Sequence, residues 1–145
     1  MAQLLSDPNI QCTVIPDSAV FALMPRVTSV FAPVRSIFAD GTVVSPSFTK
    51  TVALAAKYHA KPFIMLYWRW KLTNKFLKPG DSFAELKSPA DICSVNSDMG
   101  KTTTILNPEG EFLPSSLVTL FINEDGPHDA ADIFQLVQNL YHYYD

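Results

Sequence analysis

Cysteine is nearly missing: Cys12 and Cys93 are the only two in 145 residues, too few for a disulfide framework, and their separation fits no zinc or redox spacing. Both thiols are expected to be reduced and buried. Glycine is scarce, five residues against eleven prolines, which predicts fixed turns and extended passages more than flexible linkers. The longest apolar passage, Pro62 to Trp70, falls far short of the ~20 residues a membrane span needs. Met1 to Pro8 lacks a basic region and a run long enough for export, so no classical secretory signal is expected. These readings place the chain in the cytoplasm or another reducing compartment and leave contact with a membrane surface open. Charged residues make up only 17% of the chain and hydrophobic ones 48%, which excludes an intrinsically disordered protein. The net charge of −3 provides no global basic field for duplex DNA.

Complete chemical motifs are missing too. Gly100-Lys101-Thr102 has the end of a phosphate-binding loop, but Val95 stands where the loop needs a glycine, and a β-prone Thr102–Leu106 follows instead of a helix. Of three histidines, only His128 has carboxylates at helical spacing, Asp129 and Asp132, and an acidic first helical turn explains both without a metal. No serine sits in a Gly-x-Ser-x-Gly elbow, and Glu109 and Glu111 beside Pro108 and Gly110 read as a solvated turn. Neither a cofactor nor a metal is expected.

What is present predicts one globular domain over residues 1–145, since no repeat or linker divides it. Residues 10–15 alternate and are β-rich, with Pro16 ending a strand. Asp17 to Met24 could form two helical turns. Asp40-Gly41 between Arg35–Phe38 and Thr42–Val44 is a strong hairpin signal. Ser45-Pro46 opens a helix over about 47–59, with Phe48, Val52, Ala55, Ala56 and His59 on one side. Residues 63–72 form the clearest strand, Ile64, Leu66, Trp68, Trp70 and Leu72 pointing one way and Phe63, Met65, Tyr67, Arg69 and Lys71 the other. Lys78–Asp81 should turn, short strands follow at 91–95, 102–106 and 117–122, and a second principal helix covers about 128–144 with Ile133, Leu136, Val137, Leu140 and Tyr144 as its apolar stripe. The sum is an α+β fold with a mixed, mostly antiparallel sheet and two principal helices, and a βαβ sheet of dinucleotide-binding type is disfavoured.

Charge is distributed unevenly. Residues 50–87 hold eight Lys and Arg against two acids, a net of +6, whereas residues 107–145 hold seven acids and no base. Internal ion pairs could absorb the division. Left apart, the two zones would join copies of the chain head to tail. Phe63 and Tyr67 share the second face of the 63–72 strand with Arg69 and Lys71, and something must cover them. Three functions compete on these grounds. The first is a non-enzymatic, self-associating assembly subunit of coat, matrix or scaffold type, with a viral structural protein as one guess. The second is a single-stranded nucleic-acid binder that stacks bases on Phe63 and Tyr67 and meets phosphates with Arg69, Lys71 and Lys75. The third is a small enzyme with an unrecognised site. The candidate interaction residues are Phe63, Tyr67, Arg69, Lys71, Lys75, Lys78, Glu124, Asp125, Asp129 and Asp132.

Overall fold

The computed structural model describes residues 10–77, 85–94 and 103–142. Among these residues, two small sheets and three α-helices make up an α+β structure with mixed strand pairing. The larger sheet contains β1 (Val30–Pro33), β4 (Phe63–Leu66), β6 (Leu120–Asn123) and β7 (Gly126–His128) in that spatial order. β1, β4 and β6 run parallel, and β7 returns antiparallel to β6. The smaller sheet, antiparallel throughout, places β3 (Val43–Pro46) between β2 (Ser36–Ile37) and β5 (Gly110–Leu113).

Register explains where the core lies. Ala32, Met65 and Phe121 are aligned across β1, β4 and β6, so all three point to one face, and all three are buried. Phe63 and Tyr67 extend that row along the chain of β4 and are only 1% and 5% exposed. Helix α2 (Thr49–Tyr58) brings Ala53, Ala55 and Ala56 into the same cluster. Its alanines let the helix approach the strands closely, because no long side chain holds it off. Helix α3 (Asp132–His142) adds Ile133 and Val137, and the Tyr141 hydroxyl donates to the Leu72 carbonyl at 3.1 Å. The short α1 (Val20–Leu23), flanked by single 3₁₀ turns, packs against α2 and contributes Met24 just beyond its end. Among the described residues no helix is long and apolar enough to cross a membrane.

The Asp40–Gly41 hairpin forms as the sequence predicts, joining β2 to β3, but only Gly41 has positive φ (+79°). The Asp40 carboxylate takes the Thr42 amide at 2.9 Å, and the Phe38 carbonyl takes the Gly41 amide at 2.9 Å. A side chain at position 41 would be doubly unfavourable, since its Cβ would also lie 3.2 Å from Ser115 Cβ.

Several expectations need correction. Pro46 ends β3 and does not open α2; the helix starts at Thr49 after Phe48, which is held at φ +77°. The first-turn amide of Lys50 finds its acceptor in the Glu111 carboxylate of β5 at 2.5 Å, a partner distant in sequence. The last helix begins at Asp132, not 128, because Gly126–His128 pairs with β6 as a strand. The 63–72 strand stops at Leu66, and Arg69–Lys71 is a 3₁₀ turn. Residues 10–15 are exposed and form no strand, and residues 103–106 form none either. In the 91–95 segment the chain makes a 3₁₀ turn at Pro89–Asp91, while Val95, the Lys78–Asp81 turn and Gly100–Thr102 lie outside the described residues. Cys12 is exposed and Cys93 half-buried, against the expectation of two buried thiols. β1 and β4 pair in parallel with β2, β3 and α2 in the crossover between them, while the structure as a whole keeps the mixed α+β pairing that the sequence predicts.

Phe121 is fully buried at the centre of the larger sheet. Phe121→Ala should therefore lower unfolding stability by about 3–5 kcal/mol, whereas Phe134→Ala, at an exposed position of α3, should change it by no more than about 0.5 kcal/mol. Urea unfolding midpoints of the two variants measure the difference.

Candidate functional site at the strand ends

The carboxyl ends of parallel strands are where open α/β sheets place ligands and partners. Here β4 delivers Leu66, Tyr67, Trp68 and Arg69 to that edge, and β6 delivers Ile122, Asn123, Glu124 and Asp125. The Tyr67 amide donates to the Ile122 carbonyl at 3.0 Å, which keeps the two strands paired to the rim. Between them lies a groove of about 410 Å³ lined by Leu66, Tyr67, Trp68, Ile122, Asn123 and Glu124.

Asn123 organises the polar end of this groove. Its Nδ2 donates to the Tyr67 hydroxyl at 3.3 Å, and its Oδ1 accepts from the Asp125 amide at 2.8 Å and from His128 Nε2 at 3.1 Å. A carboxamide oxygen only accepts, so this contact sets the proton on Nε2 of the imidazole. The Tyr67 ring stands edge-on to Phe121 with centroids 6.2 Å apart. Burial pushes the phenol up to about 12, the nearby carboxylates of Glu124 and Asp125 add to the rise, and the Asn123 hydrogen bond and Arg69 oppose it. Tyr67 therefore keeps its proton at neutral pH.

The charged rim is paired across the same edge. The Arg69 amide donates to both Glu124 carboxylate oxygens, at 3.2 and 3.1 Å, while its guanidinium bonds Asp125, which raises the arginine above its ordinary value. Elsewhere Arg35 bonds Glu109 at 2.5 Å and Lys87 approaches the same carboxylate oxygen at 3.5 Å. Arg35, first through its hydrogen bond, holds the Glu109 carboxyl below the usual carboxylate range.

The sequence-based candidates thus separate. Tyr67, Arg69, Glu124 and Asp125 meet at one edge. Phe63 is interior, and Tyr67 presents no free ring face, so neither can stack a base; the nucleic-acid reading loses its platform. Lys71 lies 5.4 Å from the Trp70 ring centroid and its ammonium bonds the Val34 carbonyl, which leaves it turned inward. Lys75 is exposed, Asp129 donates its amide to the Asp132 carboxylate at 3.1 Å near the start of α3, and Lys78 lies outside the described residues. The cationic middle and anionic end are not kept apart: Arg69 and Lys87 already face Asp125 and Glu109. Sequence reasoning missed Asn123 and assigned His128 to a helix. The available signal was Asp125-Gly126, the same dipeptide as at 40–41, which marks a turn; the loop itself is Glu124–Asp125, and Gly126, at φ +127°, opens the returning strand opposite Asn123. Among the described residues no three His, Cys, Asp or Glu side chains converge on a common metal position.

A mixed α+β sheet with a parallel-strand edge of this kind is the class the structure defines, and the sequence places it. The chain matches the initiation factor 2 subunit family over residues 1–129, and it belongs to that family. It is 33% identical over 138 residues to translation initiation factor eIF2B subunit beta of Dictyostelium discoideum, covering 94% of this chain and 36% of the relative. The Schizosaccharomyces pombe subunit beta is 33% identical over 142 residues, covering 97% and 36%. Among solved structures, the 5-methylthioribose 1-phosphate isomerase of Pyrococcus horikoshii OT3 superposes with a TM-score of 0.75 at 19% identity, over 93% of this chain and 38% of that one. A chain of the tetrameric eIF2B-beta2-delta2 complex of C. thermophilum gives 0.60 at 19% identity, over 83% and 33%. This chain spans about a third of the length of the curated relatives it matches. Translation-factor subunits and isomerases both occur among the matches. The coat, matrix or scaffold reading and the viral guess are overturned by this family membership.

The sign of one pH effect follows from Tyr67. A phenol that ionises near 10 in the unfolded chain and near 12 in the folded one contributes stability present below pH ~10 and lost as pH climbs to ~12. Tyr67→Phe should flatten that alkaline loss in unfolding curves. Asn123→Ala should push the phenol higher still, read from the tyrosinate absorbance at alkaline pH.

Proposed function

We propose that this chain acts as a beta-type subunit of an eIF2B-like translation-initiation assembly in the cytosol, working through protein contacts and not through turnover. The observation that carries the reading is identity of 33% to two eIF2B beta subunits, spread over nearly the whole chain. The strand-end site supports it. Tyr67, Asn123 and His128 satisfy one another, Arg69 is engaged by Glu124 and Asp125, and the groove beside them has the apolar walls and aromatic edge of a contact surface more than the convergent titratable groups of a reaction centre.

A delta-type chain of the same family is the expected partner, by analogy with the beta2-delta2 complex to which the fold is similar. Exposed Asp129, next to β7, and exposed Lys75, beside the smaller sheet with Arg35 and Glu85, would supply polar contacts in this reading. Co-expression with the delta-type chain of the same genome, followed by native mass measurement, should give a heteromer of fixed ratio, and Lys75→Glu with Asp129→Lys should slow its formation chiefly at low salt. Absence of any heteromer, or turnover of 5-methylthioribose 1-phosphate by the isolated chain, overturns the reading.

A further inference from the structure

At the opposite edge of the larger sheet, the amino ends of β4 and β6 meet the carboxyl end of α2, and a groove of about 380 Å³ opens between them. Lys57, Ala60 and Lys61 line one wall, and Ser116, Val118 and Thr119 the other. The lining holds two cations and no acid. Ion pairs among the described residues engage Arg35, Arg69 and Lys87, so neither groove lysine is neutralised. Lys57 leans across the groove, its ammonium 3.4 Å from the Ser116 carbonyl, with two further N–H groups to give. Thr119 Oγ1 accepts the Phe63 amide at 3.0 Å, which fixes the hydroxyl and leaves its proton to donate, while the amide of Thr119 is spent on the Phe63 carbonyl at 2.8 Å.

Lysines near the carboxyl end of a helix ordinarily serve its last carbonyls. Here that task is already done. The amides of His59, Ala60 and Lys61 close on the carbonyls of Ala55, Lys57 and Ala56, at 3.1, 3.1 and 2.8 Å. Ala60 takes φ +52° to complete the closure, a backbone conformation that residues with a Cβ rarely adopt. The closure brings Lys61 round to the wall that Lys57 occupies, so two ammonium groups share one groove without a counter-charge.

We propose that this groove binds a small doubly charged oxyanion, phosphate or a phosphate monoester. Every polar side chain of the lining can donate, two ammoniums and two hydroxyls. An acceptor-only ligand with two negative charges satisfies all four at once, through charge-assisted hydrogen bonds. A cation is repelled, and an apolar ligand would bury both ammoniums unpaired. Ala60 and Val118 give the carbon portion of an ester an apolar edge to rest on. The site is independent of the subunit reading, which rests on identity to the beta subunits, and either can fail alone.

Inorganic phosphate, titrated at constant ionic strength against a chloride control, should shift the amide resonances of residues 57–61 and 116–119 along one saturable curve and raise the unfolding midpoint in step. Lys57→Met and Lys61→Met should each weaken binding about fivefold or more, and the double variant should abolish it. Thr119→Ser, which keeps the hydroxyl, and Lys50→Met, at the other end of α2, should leave it nearly unchanged. Phenyl phosphate separates the two sources: binding several-fold tighter than inorganic phosphate assigns the groove to a monoester, and equal binding assigns it to the free ion. Absence of saturation overturns the proposal. So does weakening by Lys50→Met equal to that by Lys57→Met and Lys61→Met, the signature of diffuse charge, or binding that survives the double variant while its circular dichroism stays native.

Discussion

One row of side chains sets the geometry of everything else: Ala32, Met65 and Phe121, aligned across three parallel strands and extended along β4 by Phe63 and Tyr67. Because a strand alternates, burying this row commits Ile64, Leu66 and Ile122 to the opposite side. The alanine surface of α2 determines that the first side is the covered one, and the hydrophobic gain of placing Phe63, Met65 and Phe121 there outweighs leaving one apolar side chain in two at the surface. The position of Tyr67 at the strand end, and with it the Asn123–His128 network, follows from the same alternation carried one residue pair further.

The hydrogen bonds at the carboxyl edge perform structural tasks that sequence distance conceals. Asn123 closes the β6–β7 turn through the Asp125 amide and holds His128 on the returning strand, so one side chain serves both the turn and the polar end of the groove. Glu111 performs an analogous task at the other sheet, where it accepts the Lys50 amide at the start of α2, and Glu109 holds Arg35 beside β2. At Glu111 and Glu109 a carboxylate from the second half of the chain satisfies a donor from the first half. Part of the charge asymmetry along the sequence is met this way, Arg69 by Asp125 and Lys87 by Glu109, in exposed pairs that contribute little individually.

Local signals were legible where the chain's own neighbours decide the conformation. The Asp40–Gly41 hairpin, the body of α2 and the apolar stripe of α3 all come from interactions within a few residues; the first two are present, and so is the stripe at Ile133, Leu136, Val137 and Leu140, Tyr144 lying outside the described residues. The alternation of 63–67 was equally readable, but the side facing the core was not, since both sides are apolar up to Leu66 and only helix placement distinguishes them. Residues 10–15 have the composition of a strand and form none in the described structure, which illustrates that β propensity reports fitness for a pleated surface and not the existence of a neighbouring strand. Parallel pairing between β1, β4 and β6 depends on contacts 33 and 56 residues apart, and no spacing rule announces it. At the site, Arg69, Glu124 and Asp125 were visible as charges, whereas Asn123 carries no charge and no motif, so its role emerges only once β6 and β7 are paired.

Within a family that includes both translation-factor subunits and isomerases, the strand-end edge is the place where the two kinds of work would diverge. A reaction centre needs groups left partly unsatisfied, so that a substrate or a proton can complete them. The edge here is arranged the other way. Asn123 gives its oxygen to His128 and the Asp125 amide and its nitrogen to Tyr67; Arg69 is held on both its backbone and its guanidinium; and the phenol is held protonated by burial. What remains outside this closed network is hydrocarbon: Leu66, Trp68 and Ile122. Apolar surface beside a polar rim gains free energy by being covered.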